Sequence, residues 1–282
     1  MPDQIEATRR GVGAVATQSP DPADGRPRHL SFRGVAKSYP AARRRAADTV
    51  VLDGIDLDLA HGQFVSVLGP SGCGKSTLLT MAAGLSRPTA GSVELDGREV
   101  TEPGPDRGMV FQQHVLLPWM TALGNVKFAL RSARPELTDA ERDDIARHHL
   151  SMVHLDHAID RKPGELSGGM RQRVGIARAF AIHPSVLLLD EPFGALDALT
   201  RLSLQRQLLE VWENDRRTVL MVTHDVDEAL LLSDRIIVLG GGSPARIIHD
   251  VEVPFARPRR AEDVELDPDY LALKRTLIRS LT

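Results

Sequence analysis

The nine residues Gly69-Pro70-Ser71-Gly72-Cys73-Gly74-Lys75-Ser76-Thr77 fill every position of a phosphate-binding P-loop, and such a loop dictates what must surround it. Its glycines let backbone N–H groups turn inward around a phosphate, its lysine neutralises terminal oxygens, and its Ser or Thr hydroxyl ligates Mg²⁺. The loop requires a strand entering it and a helix leaving it. Phe64-Val65-Ser66-Val67-Leu68 reads as the buried strand, and Ser76 to Ala82 reads as the helix. Lys75 is therefore expected on the terminal phosphate oxygens and Ser76 on the metal. Gly69, Pro70, Ser71, Gly72, Cys73, Gly74 and Thr77 complete the cradle, with the Cys73 thiol a bystander.

Composition narrows the classes open to the chain. At 282 residues and 42% hydrophobic content it can bury a substantial core. No apolar run approaches the roughly 18 residues that cross a bilayer, and Met1-Pro2-Asp3-Gln4-Ile5-Glu6 lacks the basic-then-apolar start of a signal peptide, so a cytosolic location is expected. A single cysteine excludes an internal disulfide framework, and a formal charge of −3 predicts no general affinity for nucleic acid or anionic lipid. Arginine far outnumbers lysine, so Arg43-Arg44-Arg45 reads as a solvated loop rather than a phosphate clamp.

Read in order, residues 1–27 are rich in Pro, Ala, Gly and Asp without an apolar period, the signature of a mobile tail. Residues 28–112 hold the P-loop inside antiparallel β signals. His29 to Val35 and Val51 to Leu59 alternate as two antiparallel strands, and Asp96-Gly97 between Ser92-Val-Glu-Leu and Arg98-Glu-Val marks a hairpin. Residues 113–165 show long helical patterns with polar faces, from Leu123 to His157, and predict a separate helical subdomain. In 166–250 the nucleotide core resumes: Val186-Leu-Leu-Leu and Thr218-Val-Leu-Met-Val are the continuous apolar runs of parallel strands covered on both faces, with helices near 201–212 and 227–232. Residues 251–282 end in a helix opened by Asp267-Pro268, whose Tyr270, Leu271, Leu273, Leu277, Ile278 and Leu281 form an apolar stripe.

Asp190 ends an apolar strand and Glu191 follows it, which brings two carboxylates out together at the carboxyl edge of the sheet, where α/β folds bind ligands. Asp190 is expected to hold Mg²⁺, and Glu191 to polarise the attacking water of an in-line phosphoryl transfer. Ser167-Gly168-Gly169 opens a second helix, Met170 to Ala181, and makes a second anion site. One nucleotide does not need two cradles on opposite sides from one subunit, so the pair points to a composite site in which two protomers each supply one. His148, His149, His154 and His157 do not read as a metal site, because they fall on different helix faces and no Cys or paired carboxylate completes a set.

Across Leu30 to Leu239 this order of motifs resembles the nucleotide-binding subunit of an ATP-binding cassette (ABC) transporter. The resemblance implies an α/β fold, a P-loop NTPase core with an antiparallel β subdomain and an inserted α-helical subdomain. It implies ATP and Mg²⁺ as ligands, and it adds residues. Tyr39 resembles the aromatic residue that stacks on adenine. Gln112 resembles the glutamine that senses Mg²⁺ and water and flexes toward the membrane partner. Ala195-Leu196-Asp197 resembles the loop joining two protomers, and His224 the histidine that contacts the γ-phosphate and supports Glu191. The implied partners are a second copy, integral-membrane permease subunits gripped through residues 113–126, including Leu116-Leu117-Pro118-Trp119, and indirectly a solute-binding protein, with the chain peripheral at the cytoplasmic face of the membrane. Leu-Leu-Pro-Trp, Leu166-Ser-Gly-Gly-Met-Arg-Gln-Arg and Asp190-Glu-Pro-Phe-Gly-Ala-Leu-Asp resemble the nitrate, sulfonate, taurine and bicarbonate import group, although Gly124 stands where that group often carries an acidic residue. A soluble ABC ATPase acting on nucleic acid or ribosomes is the alternative; such proteins usually carry two cassettes or long coiled-coil insertions. A P-loop kinase would leave the Ser167 segment and Asp197 unexplained.

Overall fold

The computed structural model describes residues 27–40, 48–113, 115–194 and 196–281, so residues 1–26 of the expected tail (1–27), Arg43-Arg44-Arg45 of the 40–49 insertion and Ala195 lie outside the described residues. Two sheets organise the rest. The first has four strands in the order β2-β1-β4-β5: β1 (Arg28–Tyr39), β2 (Thr49–Ala60), β4 (Ala90–Leu95) and β5 (Arg98–Glu99). β1 pairs antiparallel with β2, Phe32 facing Leu57, and antiparallel with β4, Phe32 facing Val93. Asp96 and Gly97 join β4 to β5 with φ of 48° and 72°, the paired left-handed conformations that a tight two-residue hairpin demands.

The second sheet has six strands in the order β10-β9-β3-β8-β7-β6. β3 (Phe64–Leu68), β6 (Arg107–Val110), β7 (Val186–Asp190), β8 (Thr218–Val222) and β9 (Arg235–Gly240) run parallel, and β10 (Arg246–Glu252) closes one edge antiparallel to β9. Their side chains alternate between two cores. Val65, Val67, Val186, Leu188, Leu220 and Val222 face the antiparallel sheet and α1 (Lys75–Ala82). Phe64, Leu68, Leu187, Leu189, Val219 and Met221 face the opposite core. There lie α4 (Gly168–Ala181), α5 (Ala198–Asn214) and α6 (Val226–Leu232), with Trp212 fully buried edge-on to Phe64. A sheet buried on both faces has no polar side to advertise, which is why these strands read as unbroken apolar runs.

α2 (Ala122–Ala133) and α3 (Asp139–Met152) pack on α4 and share its core through Val126, Leu130, Ala146 and Leu150. Their starts are set by short side chains that accept N–H groups lacking helical partners: Thr121 takes Gly124 N, and Thr138 forms a reciprocal capping box with Glu141. The helical reading to His157 overran. α3 stops at Met152, His154 adopts a left-handed φ of 55°, and short 3₁₀ turns at Asp156–Ala158 and Pro163–Glu165 follow. At the C-terminus, α7 (Ala261–Glu265) leads into α8 (Pro268–Leu281). Tyr270 and Leu277 of the expected stripe are buried and Leu273 and Leu281 pack beside them, whereas Leu271 and Ile278 face outward. Tyr270 Oη donates to Asp227 and Lys274 pairs with the same carboxylate, so a polar clamp holds α8 on α6.

Candidate functional site

The P-loop leaves β3 at its carboxyl end, as the strand and helix readings require. Gly69 has no room for a side chain: a Cβ there would sit 2.7 Å from both Leu239 O and Cys73 Sγ. Gly74, at φ 101°, caps α1 without offering a side-chain acceptor to its first turn. Those N–H groups therefore stay available to an anion, which the helix dipole also favours. Pro70, Ser71 and Gly72 are exposed on the loop and Thr77 is half-buried on α1, while the partly buried Cys73 thiol, raised by that burial, packs toward the core. Lys75 is buried; its Nζ donates to Gly69 O at 2.7 Å and Pro70 O at 3.0 Å, which holds the ammonium under the loop.

Two carboxylates emerge from β7 beside this loop. Asp190 Oδ1 accepts the Ser76 hydroxyl at 2.9 Å, which joins two elements 114 residues apart in sequence. Burial raises the Asp190 carboxyl, the Ser76 bond opposes that rise, and the neighbouring Glu191 adds to it. Hard oxygen donors around a partly desolvated carboxylate suit Mg²⁺, because a divalent charge there offsets the cost of burying the anion. Glu191 takes φ 41°, a left-handed backbone that turns its side chain off the strand line. Its Oε2 accepts Gln112 Nε2 at 3.1 Å and lies 3.2 Å from His224 Nδ1. Gln112 follows β6 and His224 follows β8, so three strand ends converge on one oxygen.

The other expected residues stand apart from this cluster or play visible local parts. Ser167 caps α4 by accepting Met170 N at 3.2 Å; Gly168 is open, and Gly169 lies so close to Thr200 that a Cβ would meet its methyl at 2.6 Å. Asp197 caps α5 through Thr200 N at 3.1 Å, and the Thr200 hydroxyl together with that N–H lowers its carboxyl. Tyr39 is exposed at the end of β1 with the Lys37 ammonium 5.2 Å from its ring centre. Trp119 is 67% exposed, which removes core packing as its role. His149 is buried with Nδ1 against Ile145 O, and His154 sits beyond the helix that holds it.

One group behind the site had no sequence signal. Glu228 on α6 is buried, accepts Gln205 Nε2 and the Thr223 hydroxyl, and lines the same narrow crevice as Glu191 and His224. Burial raises its carboxyl from 4.5 to about 7. A carboxyl whose folded value exceeds its unfolded one contributes stability that is full below the unfolded value and lost as pH rises through the folded one. Between pH 4.5 and about 7 that loss is about 3 kcal/mol. Glu228→Gln, a neutral stand-in for the protonated acid, is expected to match the wild type in urea unfolding at pH 5 and to exceed it at pH 8. An equal difference at both values would remove the buried acid from the pH dependence.

The parallel sheet, the P-loop and the paired carboxylates define a nucleotide-hydrolysing α/β cassette. Residues 52–194 match the family described as ABC transporter. Among curated relatives, the bicarbonate transport ATP-binding protein CmpD of Synechocystis sp. is 50% identical over 87% of this chain and 86% of its own length. The nitrate import ATP-binding protein NrtD of Synechococcus elongatus is 49% identical over 87% of this chain and 88% of its own. Among solved structures, the dimeric post-hydrolysis state of the ATP-binding cassette MJ0796, bound to ADP and Pi, is 34% identical with a TM-score of 0.71, covering 80% of this chain and 100% of that one. The chain belongs to the ABC transporter family and carries its ATP-hydrolysing cassette. Among the described residues no helix is long and apolar enough to cross a membrane.

Proposed function

We propose that this chain energises import of a small oxyanion-bearing solute across the cytoplasmic membrane, working as a homodimer on separate permease subunits. The relatives named for bicarbonate and nitrate transport support that cargo class, to which a sulfonate or taurine also belongs. The observation that carries the ATPase reading is the convergence of Gln112 and His224 on Glu191 Oε2 beside the Ser76–Asp190 pair. Both neighbours occupy one oxygen, which leaves Oε1 to take the proton of the attacking water. Lys75 and the α1 N–H groups bind the terminal phosphates and oppose the charge that builds on the transferred group. Tyr39 stacks on the adenine. Ser76, Asp190 and Gln112 would hold Mg²⁺, which supplies further charge neutralisation on the phosphate oxygens.

The Ser167-Gly168-Gly169 helix end caps the γ-phosphate held by the other protomer, and ATP binding draws the two chains together. Hydrolysis removes the bridge and lets the dimer open. Asp197 lies in the joining loop. The exposed Trp119 supports docking of a permease helix on the helical part (113–165), which sits between the core segments 28–112 and 166–250, with 251–282 as a C-terminal extension. The chain then lies peripherally at the cytoplasmic face, and a solute-binding protein contacts it only through the permease.

Mixing two inactive variants tests the shared site. A Lys75→Ala chain lacks a working P-loop and a Ser167→Arg chain lacks a working cap, yet their heterodimer contains one site with both elements intact. An equimolar mixture is expected to recover roughly a quarter of wild-type phosphate release, given random pairing. A mixture as inactive as its components would place both elements in one subunit and end the shared-site reading.

A further inference from the structure

A second cleft, of about 470 Å³, opens at the amino end of β3, remote from the P-loop at its carboxyl end. His29, His61 and Thr218 are among the residues that line it. We propose that His29, His61 and Asp96 form a binding site for a divalent first-row transition cation of the Zn²⁺ type, which ties together β1, the β4–β5 hairpin and the turn that leads into β3.

The Thr218 hydroxyl donates to Ala60 O at 3.2 Å and accepts Gly62 N at 3.0 Å. His29 Nδ1 lies 2.6 Å from the same hydroxyl oxygen, and we assign it the hydrogen, the tautomer that lets the hydroxyl keep its bond to Ala60 O. His29 Nε2 is then a bare lone pair. It is buried and without a hydrogen-bond partner, in a residue only 3% exposed. Its nearest charged neighbour is Asp96 Oδ2, 3.7 Å away, which is another acceptor. Two acceptors aimed at each other in a desolvated space repel unless a positive charge lies between them.

The space between His29 Nε2 and Asp96 Oδ2, 3.7 Å apart, calls for a cation that both can hold. A metal ion fills it well. The ligand atoms of His29, His61 and Asp96 all lie within 4.8 Å of one another, with His61 Nε2 3.1 Å from Asp96 Oδ1. Donors about 2.0–2.2 Å from a tetrahedral zinc stand about 3.3–3.5 Å apart; the His61 ring, stacked on His29 with centroids 3.7 Å apart and 15° between the planes, has to turn off that stack to meet the same ion, a movement its exposed side chain carries. The Thr218 bond on Nδ1 supplies the outer-shell support that fixes tautomer and ring orientation in metal-bound histidines.

Backbone bonds already hold the three carriers together. Asp96 N donates to His29 O at 2.8 Å, and His61 N donates to Pro27 O at 3.3 Å. The arginines that also line the cleft do not compete for the carboxylate: Arg217 pairs with Asp215, and Arg216 lies over the Trp212 ring. Three protein ligands leave a fourth position open to the cleft. Two imidazoles and one carboxylate suit Zn²⁺ or its neighbours in the first row and do not suit Mg²⁺.

The test uses the full chain, stripped with chelator and kept in Mg²⁺ buffer. Titration with Co²⁺ is expected to give the visible absorption of a tetrahedral site, saturating at one equivalent and displaced by Zn²⁺. Asp96→Asn and His61→Gln are each expected to weaken Zn²⁺ binding at least about tenfold. Zn²⁺ should raise the melting temperature of the wild type and not of Asp96→Asn. Both positions are exposed, so the test avoids replacing the buried His29. ATP turnover in both variants should stay at the wild-type value, which certifies that they fold. No Co²⁺ band, or Zn²⁺ binding that survives both substitutions, overturns the proposal.

Discussion

Glu191→Gln is expected to keep ATP affinity while phosphate release falls by at least about 10²-fold, the usual worth of a general base. The substitution preserves size and keeps an oxygen for Gln112 and His224, which reach Glu191 Oε2 at 3.1 and 3.2 Å. It removes only the charge and the capacity to take a proton. It also removes a negative neighbour from Asp190, whose carboxyl Glu191 helps to raise. The variant should therefore tolerate the anionic substrate at least as well as the wild type and accumulate as an ATP-bound dimer, visible by size-exclusion chromatography. Turnover at the wild-type rate would take Glu191 out of the chemistry.

Lys75→Ala should fail one step earlier. Its ammonium is buried beneath the loop and tied to Gly69 O and Pro70 O. Replacement withdraws a full positive charge from the phosphate cradle and unties the loop's own carbonyls. A hydrogen bond to a charged group contributes about 1.5–3 kcal/mol, so nucleotide affinity is expected to drop by about ten- to a hundredfold in a fluorescent-nucleotide titration. An unchanged melting temperature without nucleotide would assign the loss to binding. Unchanged affinity would contradict the cradle role.

How much of this was legible beforehand depended on the kind of signal each residue leaves. β3, β7 and β8 announced themselves because strands buried on both faces are continuously apolar. β6 holds four residues, Arg and Gly among them, and β10 is a partly exposed edge rich in polar groups, so neither offered a clean pattern. The overrun past Met152 had a local cause: His154 turns left-handed without being glycine, a choice that composition does not advertise. In the site, the P-loop and the Asp190-Glu191 pair carried their chemistry in their spacing. A lone Gln112 or His224 has no periodicity to betray it, and only family resemblance singled them out. Glu228 was invisible because its burial depends on how α6 packs against α5, and the His29, His61 and Asp96 group because it depends on which strands and turns the sheet order brings together.

The left-handed backbone at Glu191 sets activity against robustness. A residue with a Cβ held at φ 41° carries on the order of 1 kcal/mol of conformational cost, which glycine would not incur and asparagine bears more easily. Screening this cassette for heat resistance alone would thus favour chains disarmed at that position, and a search for sturdier versions must select for turnover at every round.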